Sequence, residues 1–168
     1  QSCVKSAKSG RSQVGAASAG SGAPEARSAR PAFPAEKLSP WHHIGPFGAA
    51  DFKKAYNEAF PPEKEIELAR TYEDRKWVAR PEWKDGAIHN TLKGDNSANY
   101  LFRTIEVPGA RTLPISLGRD DAIKVWLNGQ SVLAKEVQGG VAKDQDSGGY
   151  DLIAAPPGST TWRGAGAC

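Results

Sequence analysis

The strongest constraint on the fold is the dipeptide Asn128-Gly129, which separates two segments with alternating apolar residues. Asn-Gly adopts the positive φ angles of a type I′ turn with little strain, and this turn joins adjacent antiparallel strands through a two-residue loop. The sequence therefore predicts a β-hairpin made of one strand over 122–127 and a second strand over 130–137.

The two-residue loop also predicts which residues face each other, because loop length sets the register of a hairpin. The expected pairs are Leu127 with Gln130, Val125 with Val132, and Ile123 with Ala134. The aliphatic residues of the first strand then share one face, which is the expected core face, and Trp126 lies on the opposite face. An indole there needs a covering element or a ligand, so Trp126 is the first candidate for a ligand platform.

The chain from Trp41 onward indicates a β-rich class. Strand-forming residues dominate 41–47, 99–107 and 113–117, and the 18 Gly and 12 Pro suit a chain that turns often between short strands. One short helix is expected after Asp51, which would cap it, with apolar residues at helical spacing until Pro61-Pro62 stops it. We predict an all-β fold, a mainly antiparallel β-sandwich with that helix over one end.

The first 38 residues differ in composition from the rest. They are rich in Ser, Ala and Gly and contain no aromatic residue before Phe33. Such a segment buries too little apolar surface to offset its ordering entropy. We predict a disordered leader or linker over 1–38 and one sandwich domain over 39–168.

The charge and the cysteines exclude several functions. Residues 1–38 carry six Lys or Arg and two Asp or Glu, and the remainder carries 16 and 17, so the domain has no basic patch for nucleic acid. The sequence contains no run of about 18 to 20 apolar residues, which is the length needed to span a membrane. Cys3 and Cys168 either pair with each other or are both free, and their spacing excludes a CxxC redox pair.

Three segments carry a resemblance to a known family. The first is a strand with an aromatic residue and an arginine, Tyr100-Leu101-Phe102-Arg103. It leads to an Asp-Asp turn, Asp120-Asp121, and then to a Trp-Leu-Asn-Gly hairpin, Lys124-Val125-Trp126-Leu127-Asn128-Gly129. Together with Trp41 and Ile44-Gly45-Pro46-Phe47, this pattern resembles galactose-binding-like jelly rolls, and looks most like accessory domains of large secreted proteins of planctomycete-type bacteria. The resemblance covers about residues 41 to 152. It implies a jelly-roll topology and a secreted or periplasmic location.

The C-terminal segment departs from that resemblance. Such modules end in a long apolar strand that closes the sheet, whereas residues 156–168 have no apolar alternation. The sequence therefore predicts that the closing strand is absent and that the domain is incomplete or altered at this end. An exposed sheet edge would follow.

The resemblance also directs attention to an acidic pair. Asp120 and Asp121 could supply oxygen ligands to a structural Ca²⁺, which is the one cofactor expected, or could cap the turn by accepting backbone N–H bonds. Adjacent His42 and His43 point to opposite faces of a strand, so they are not expected to hold one metal ion.

The function expected from the resemblance is binding without catalysis. Trp126 and Trp41 would stack on sugar rings, and Asp120, Asp121 and Arg103 would donate or accept hydrogen bonds in loops at one end of the sandwich. The expected partners are a polysaccharide or glycan and other domains of a larger secreted protein. Two alternatives are a structural or protein–protein interaction domain, with Trp126 packed under the helix, and a hydrolase, for which no nucleophile elbow or carboxylate dyad stands out.

Overall fold

A computed structural model describes residues 36–107, 111–140, 145–152 and 160–167 of the chain. The described part is β-rich with antiparallel sheets, as the sequence predicts. The strands are β1 (Lys37–Leu38), β2 (Trp41–Gly48), β3 (Thr71–Tyr72), β4 (Arg75–Lys76), β5 (Val78–Arg80), β6 (Ser97–Glu106), β7 (Arg111–Leu117), β8 (Ala122–Leu127), β9 (Gln130–Lys135), β10 (Asp146–Leu152) and β11 (Thr160–Ala167). Two short helices, α1 (Phe52–Asn57) and α2 (Pro61–Lys64), follow β2.

The main sheet contains seven strands. Six follow the order β5-β2-β6-β11-β8-β9, and β1 pairs with β6 beside this path. A second sheet pairs β10 with β7, and a third pairs β3 with β4. Every strand pair is antiparallel.

The absence of a C-terminal strand is a wrong prediction. The segment Thr160–Ala167 forms β11, which lies between β6 and β8 and pairs with both. Its sequence, TTWRGAGA, has no apolar alternation. Backbone N–H and C=O groups form the ladder whatever the side chains are, so a central strand without that pattern is invisible to periodicity.

The hairpin at Asn128-Gly129 is confirmed. Both residues have positive φ angles, 51° and 81°, as a type I′ turn requires. Leu127 pairs with Gln130 as predicted.

The predicted register is wrong beyond the first pairs. The pairing shifts between Trp126 and Val125, so that Val125 faces Leu133 instead of Val132, and Ile123 faces Lys135 instead of Ala134. One extra residue in β9 constitutes a β-bulge, which turn chemistry alone does not reveal. The bulge lies in β9, so the alternation of β8 is unaffected and its aliphatic residues are buried as expected.

The main sheet has two covered faces. The inner face packs against β7 and the segment around Trp83 and Leu92, in a cluster that also contains Trp41, Leu101, Ile105, Ile115, Leu117, Ile123, Val125 and Leu127. The outer face is covered by the segment that includes the two helices, β3 and β4. Its cluster contains Ile44, Phe47, Phe60, Tyr72, Trp77, Ala98, Tyr100 and Phe102, with Trp126 packed against it.

The helical segment differs from its prediction in length. Asp51 caps α1, because its Oδ1 accepts a hydrogen bond from the Lys54 backbone N at 2.7 Å. The helix ends at Asn57, and Pro61-Pro62 begins α2 instead of stopping α1. Proline is favoured in the first turn of a helix, where its missing N–H costs nothing.

Part of the N-terminal prediction can be compared with the structure. Residues 1–35 of the predicted leader, together with Cys3 and Cys168, lie outside the described residues. Lys37–Leu38, which we assigned to the linker, instead pairs with Glu106 and Ile105 of β6. Among the described residues, no helix is long and apolar enough to cross a membrane.

Candidate functional site

Trp126 forms one wall of an open pocket on the outer face of the main sheet. Its indole is half-buried, and the opposite walls come from Trp77 and from Tyr100 of β6. Residues of the α2 segment lie on one side, and the described lining is Pro62, Glu63, Ile66, Trp77, Tyr100, Leu101 and Trp126. The described lining therefore consists of three aromatic residues, three aliphatic ones and one carboxyl group.

The sheet register explains why these rings meet. β11 lies between β6 and β8, and Arg163 of β11 pairs with both Phe102 and Trp126. Residues that pair across antiparallel strands share a face, so Trp126 lies on the same face as Phe102 and, two residues away, Tyr100. Trp77 joins them through an edge-to-face contact with Phe102, with ring centroids 6.1 Å apart.

Glu63 is the polar group of the pocket. The Tyr100 hydroxyl donates a hydrogen bond to its Oε1 at 2.9 Å. Burial raises the pKa of Glu63, an effect that the Tyr100 hydrogen bond and the charge of Lys124 partly oppose. Burial and then the Glu63 charge raise the pKa of Tyr100 far above its ordinary value, so the phenol remains a hydrogen-bond donor at neutral pH.

Trp77 adds an unusual feature. Its side chain is 8% exposed, and its buried Nε1 has no hydrogen-bond partner within the described part of the chain. A buried indole N–H ordinarily has an acceptor, because leaving a buried donor unpaired costs free energy.

The pocket is shallow. Its enclosed space is ≈ 10 Å³, and the total reaches ≈ 240 Å³ when it is counted out to the open mouth. Pockets that engulf a drug-sized ligand have about 300 Å³ or more, whereas one water needs roughly 10 to 15 Å³ of enclosed space. Only the tip of a ligand can enter, and the rest must lie on the rim.

Arg103 and Trp41, two of the predicted ligand residues, meet on the inner face instead. The Arg103 guanidinium lies over the Trp41 ring, 4.5 Å from its centroid, and both residues are buried. Arg103 Nη1 donates to both carboxylate oxygens of Asp85, at 2.7 and 3.0 Å, and Trp41 Nε1 donates to Asp85 Oδ1 at 3.2 Å. Nε and Nη2 of Arg103 both donate to the Ser39 carbonyl. These bonds give the two residues a structural role in holding the segment before β2.

Asp120 and Asp121 lie in the turn before β8, and neither lines the pocket of Trp126. Asp121 has a positive φ of 58° and exchanges two hydrogen bonds with Gly139, from its N to the Gly139 O and from the Gly139 N to its Oδ1. Burial, and secondarily the charge of Asp121, raises the pKa of Asp120. The observed bonds of Asp121 are those of a turn that anchors the segment after β9. Within the described ranges, no three His, Cys, Asp or Glu side chains form a metal-binding group.

Most of the pocket is not evident from the sequence. The hairpin register marks Trp126, but no pattern connects it with Trp77, Tyr100 or Glu63. No alternation marks the face of β6 on which Tyr100 lies, because every residue from Ser97 to Arg103 is buried. No local pattern marks Glu63, because its place depends on how α2 packs on the sheet.

The fold and site together define a β-rich domain with packed antiparallel sheets and a shallow aromatic pocket. Comparisons of the chain with protein-family models, curated proteins and solved structures found no match. The resemblance to galactose-binding-like jelly rolls therefore depends on the motif residues alone and stays a prediction.

Proposed function

We propose that this domain is a non-catalytic carbohydrate-binding module with a jelly-roll-like topology, an accessory part of a secreted or periplasmic protein. The observation that carries the proposal is the half-buried Trp126 in the wall of an open aromatic pocket that also contains a carboxyl group. The five residues first predicted for binding are thereby reduced to one, because Trp41 and Arg103 are bonded on the inner face and Asp120 and Asp121 lie outside the pocket.

Sugar chemistry fits this pocket in two respects. The apolar face of a pyranose ring packs on an indole, and Trp126 supplies that surface at the rim. Sugar hydroxyls donate hydrogen bonds, and the Glu63 carboxyl group accepts them.

The titratable groups of the pocket favour binding over hydrolysis. Among the described residues that line it, Glu63 is the one carboxyl group, whereas glycoside hydrolysis ordinarily uses a pair of carboxyl groups about 5 to 10 Å apart. Tyr100 supplies no second carboxyl group; its hydroxyl donates to Glu63, and burial followed by the Glu63 charge raises its pKa.

The test is retention of the full chain on insoluble polysaccharides, with Trp126→Ala and Trp126→Phe beside the wild type. We expect the wild type to be retained, Trp126→Ala to be lost and Trp126→Phe to be partly retained, since phenylalanine keeps an aromatic plane. Val137→Ala is the matched control, because Val137 is 51% exposed and lies outside the pocket. Equal retention of wild type and Trp126→Ala would remove Trp126 from the proposal, and turnover of a glycoside or ester would contradict its non-catalytic part.

A protein-interaction domain is the second candidate, and β5 favours it. This strand ends the main sheet, and Val78 in it is 45% exposed. An uncovered strand edge can pair with a strand of another chain. Retention of neither wild type nor variant on any polysaccharide would favour this candidate.

A further inference from the structure

We propose that the glycan recognised at this pocket carries a free, protonated amino group, which enters between Trp126, Trp77 and Glu63. This inference rests on the proposed function and specifies its ligand class as polymers of unacetylated amino sugars.

The enclosed space of the pocket suits a group as small as an ammonium group. It is ≈ 10 Å³, close to the volume that one water requires. An ammonium group is about the size of a water molecule, so it fits where an acetamido group, with four heavy atoms, does not. The attached pyranose ring then remains at the mouth, where Trp126 offers its face.

The aromatic rings and the carboxyl group in the walls of the pocket favour a cation. Aromatic rings attract cations through their quadrupole, and tryptophan does so most strongly. Two indoles and a phenol surround the site here, with one carboxyl group among them. Among the described residues, Glu63 forms no ion pair, and its one observed side-chain partner is the Tyr100 hydroxyl. Burial raises the pKa of Glu63, and an entering ammonium group would stabilise the charged form.

Among the side chains that the structure describes, Lys124 is the cation whose charge acts on Glu63. It influences Glu63 electrostatically, but its Nζ lies over the Tyr56 ring, 4.5 Å from the centroid, rather than within ion-pair distance of Glu63. Removing the Lys124 charge should therefore strengthen the binding of an amine, because it removes a like charge from the surroundings of the site.

The experiment is calorimetric titration of the full chain with two tetrasaccharides, β-1,4-linked glucosamine and its fully N-acetylated form, at a pH where the amine is charged. We expect the wild type to bind the amine form about tenfold more tightly, as charge-assisted hydrogen bonds imply. Glu63→Gln should remove that preference, because it should lower the affinity for the amine form more than the affinity for the acetylated form. Glutamine keeps an acceptor for the Tyr100 hydroxyl, and thermal melting checks that the variant folds. Lys124→Ala should increase affinity for the amine form alone.

The outcomes separate this inference from the function on which it depends. Equal or tighter binding of the acetylated tetrasaccharide, or a Glu63→Gln effect of the same size on both ligands, overturns the amine inference and leaves carbohydrate binding intact. Binding of neither ligand, together with no retention on any polysaccharide, overturns both. A preference for the amine that survives Glu63→Gln also overturns the inference, because another group would then recognise the cation.

Discussion

The inner and outer faces of the main sheet are built differently, although the same strands supply both. The inner face is largely aliphatic in its centre, and Ile123 and Val125 of β8 have no exposed surface there. The outer face is aromatic, and Trp126 remains half-buried at its margin beside an open pocket. A sheet covers the inner face, whereas short helices and a two-stranded ribbon cover the outer one.

The difference separates a face that contributes mainly to stability from a face that contains the proposed binding pocket. Aliphatic side chains interdigitate between two sheets and exclude water, so they contribute mainly to the free energy of unfolding. Large flat rings under a smaller cover leave gaps, and a gap lined by rings and one carboxyl group can accept a ligand.

The largest expected effect is that of Ile123→Ala. Ile123 is fully buried in the inner cluster, so removing its side chain should lower the free energy of unfolding by about 3 to 4 kcal/mol through lost burial and a residual cavity. Trp126→Ala in the same strand should cost less despite the larger side chain, because Trp126 is only half-buried. Urea unfolding of both variants measures this order, and a larger loss for Trp126→Ala would contradict the division between the faces.

Next in size is Asp85→Ala. The Arg103 side chain is 6% exposed, and removing its carboxylate partner leaves a buried guanidinium without its counter-charge. Asp85 itself is 28% exposed, so water offsets part of this cost, and we expect a loss of about 2 kcal/mol in the free energy of unfolding. Asp95→Ala, at an exposed position, is the control and should change it by less than about 0.5 kcal/mol. Equal effects of the two substitutions would show that the pair does not stabilise the inner face.

A smaller effect should depend on pH through His43, which packs on the inner face. Burial lowers the pKa of His43; the hydrogen bond with Asn99 opposes this shift and the charge of Arg80 adds to it. Because the unfolded chain takes up the proton first, stability is full above the ordinary histidine pKa of about 6.5 and falls as pH drops from there toward the lower folded pKa. His43→Gln should lack this fall, so the difference in unfolding free energy between the two proteins should shrink below about pH 6.5. A difference independent of pH between 5 and 8 would contradict a neutral buried His43.

The smallest effect is expected for Val78→Ala at the sheet edge. Val78 is 45% exposed, so the change should lower the free energy of unfolding by about 0.5 kcal/mol or less. A larger loss, measured by the same urea titration, would mean that β5 packs against something in solution. Dependence of that loss on protein concentration would identify the cover as a second copy of the chain.

The sequence by itself determined the features that arise within a few residues of one another. The Asn128-Gly129 turn, the alternation of β8 and the Asp51 cap follow from backbone torsion angles, side-chain period and a local hydrogen bond, and the structure contains all three. The position of Trp126 on the face opposite Ile123 and Val125 follows from the same alternation.

Only the tertiary structure decided what lies beside Trp126. The insertion of β11 between β6 and β8 brings Tyr100 near it, and the packing of α2 adds Glu63. The position of the β-bulge in β9, where the pairing shifts between Trp126 and Val125, likewise depends on the packing of the whole sheet. The physical reason is that strand pairing uses the backbone, which is common to all sequences, so the identity of a neighbouring strand depends on how the entire chain buries its apolar surface.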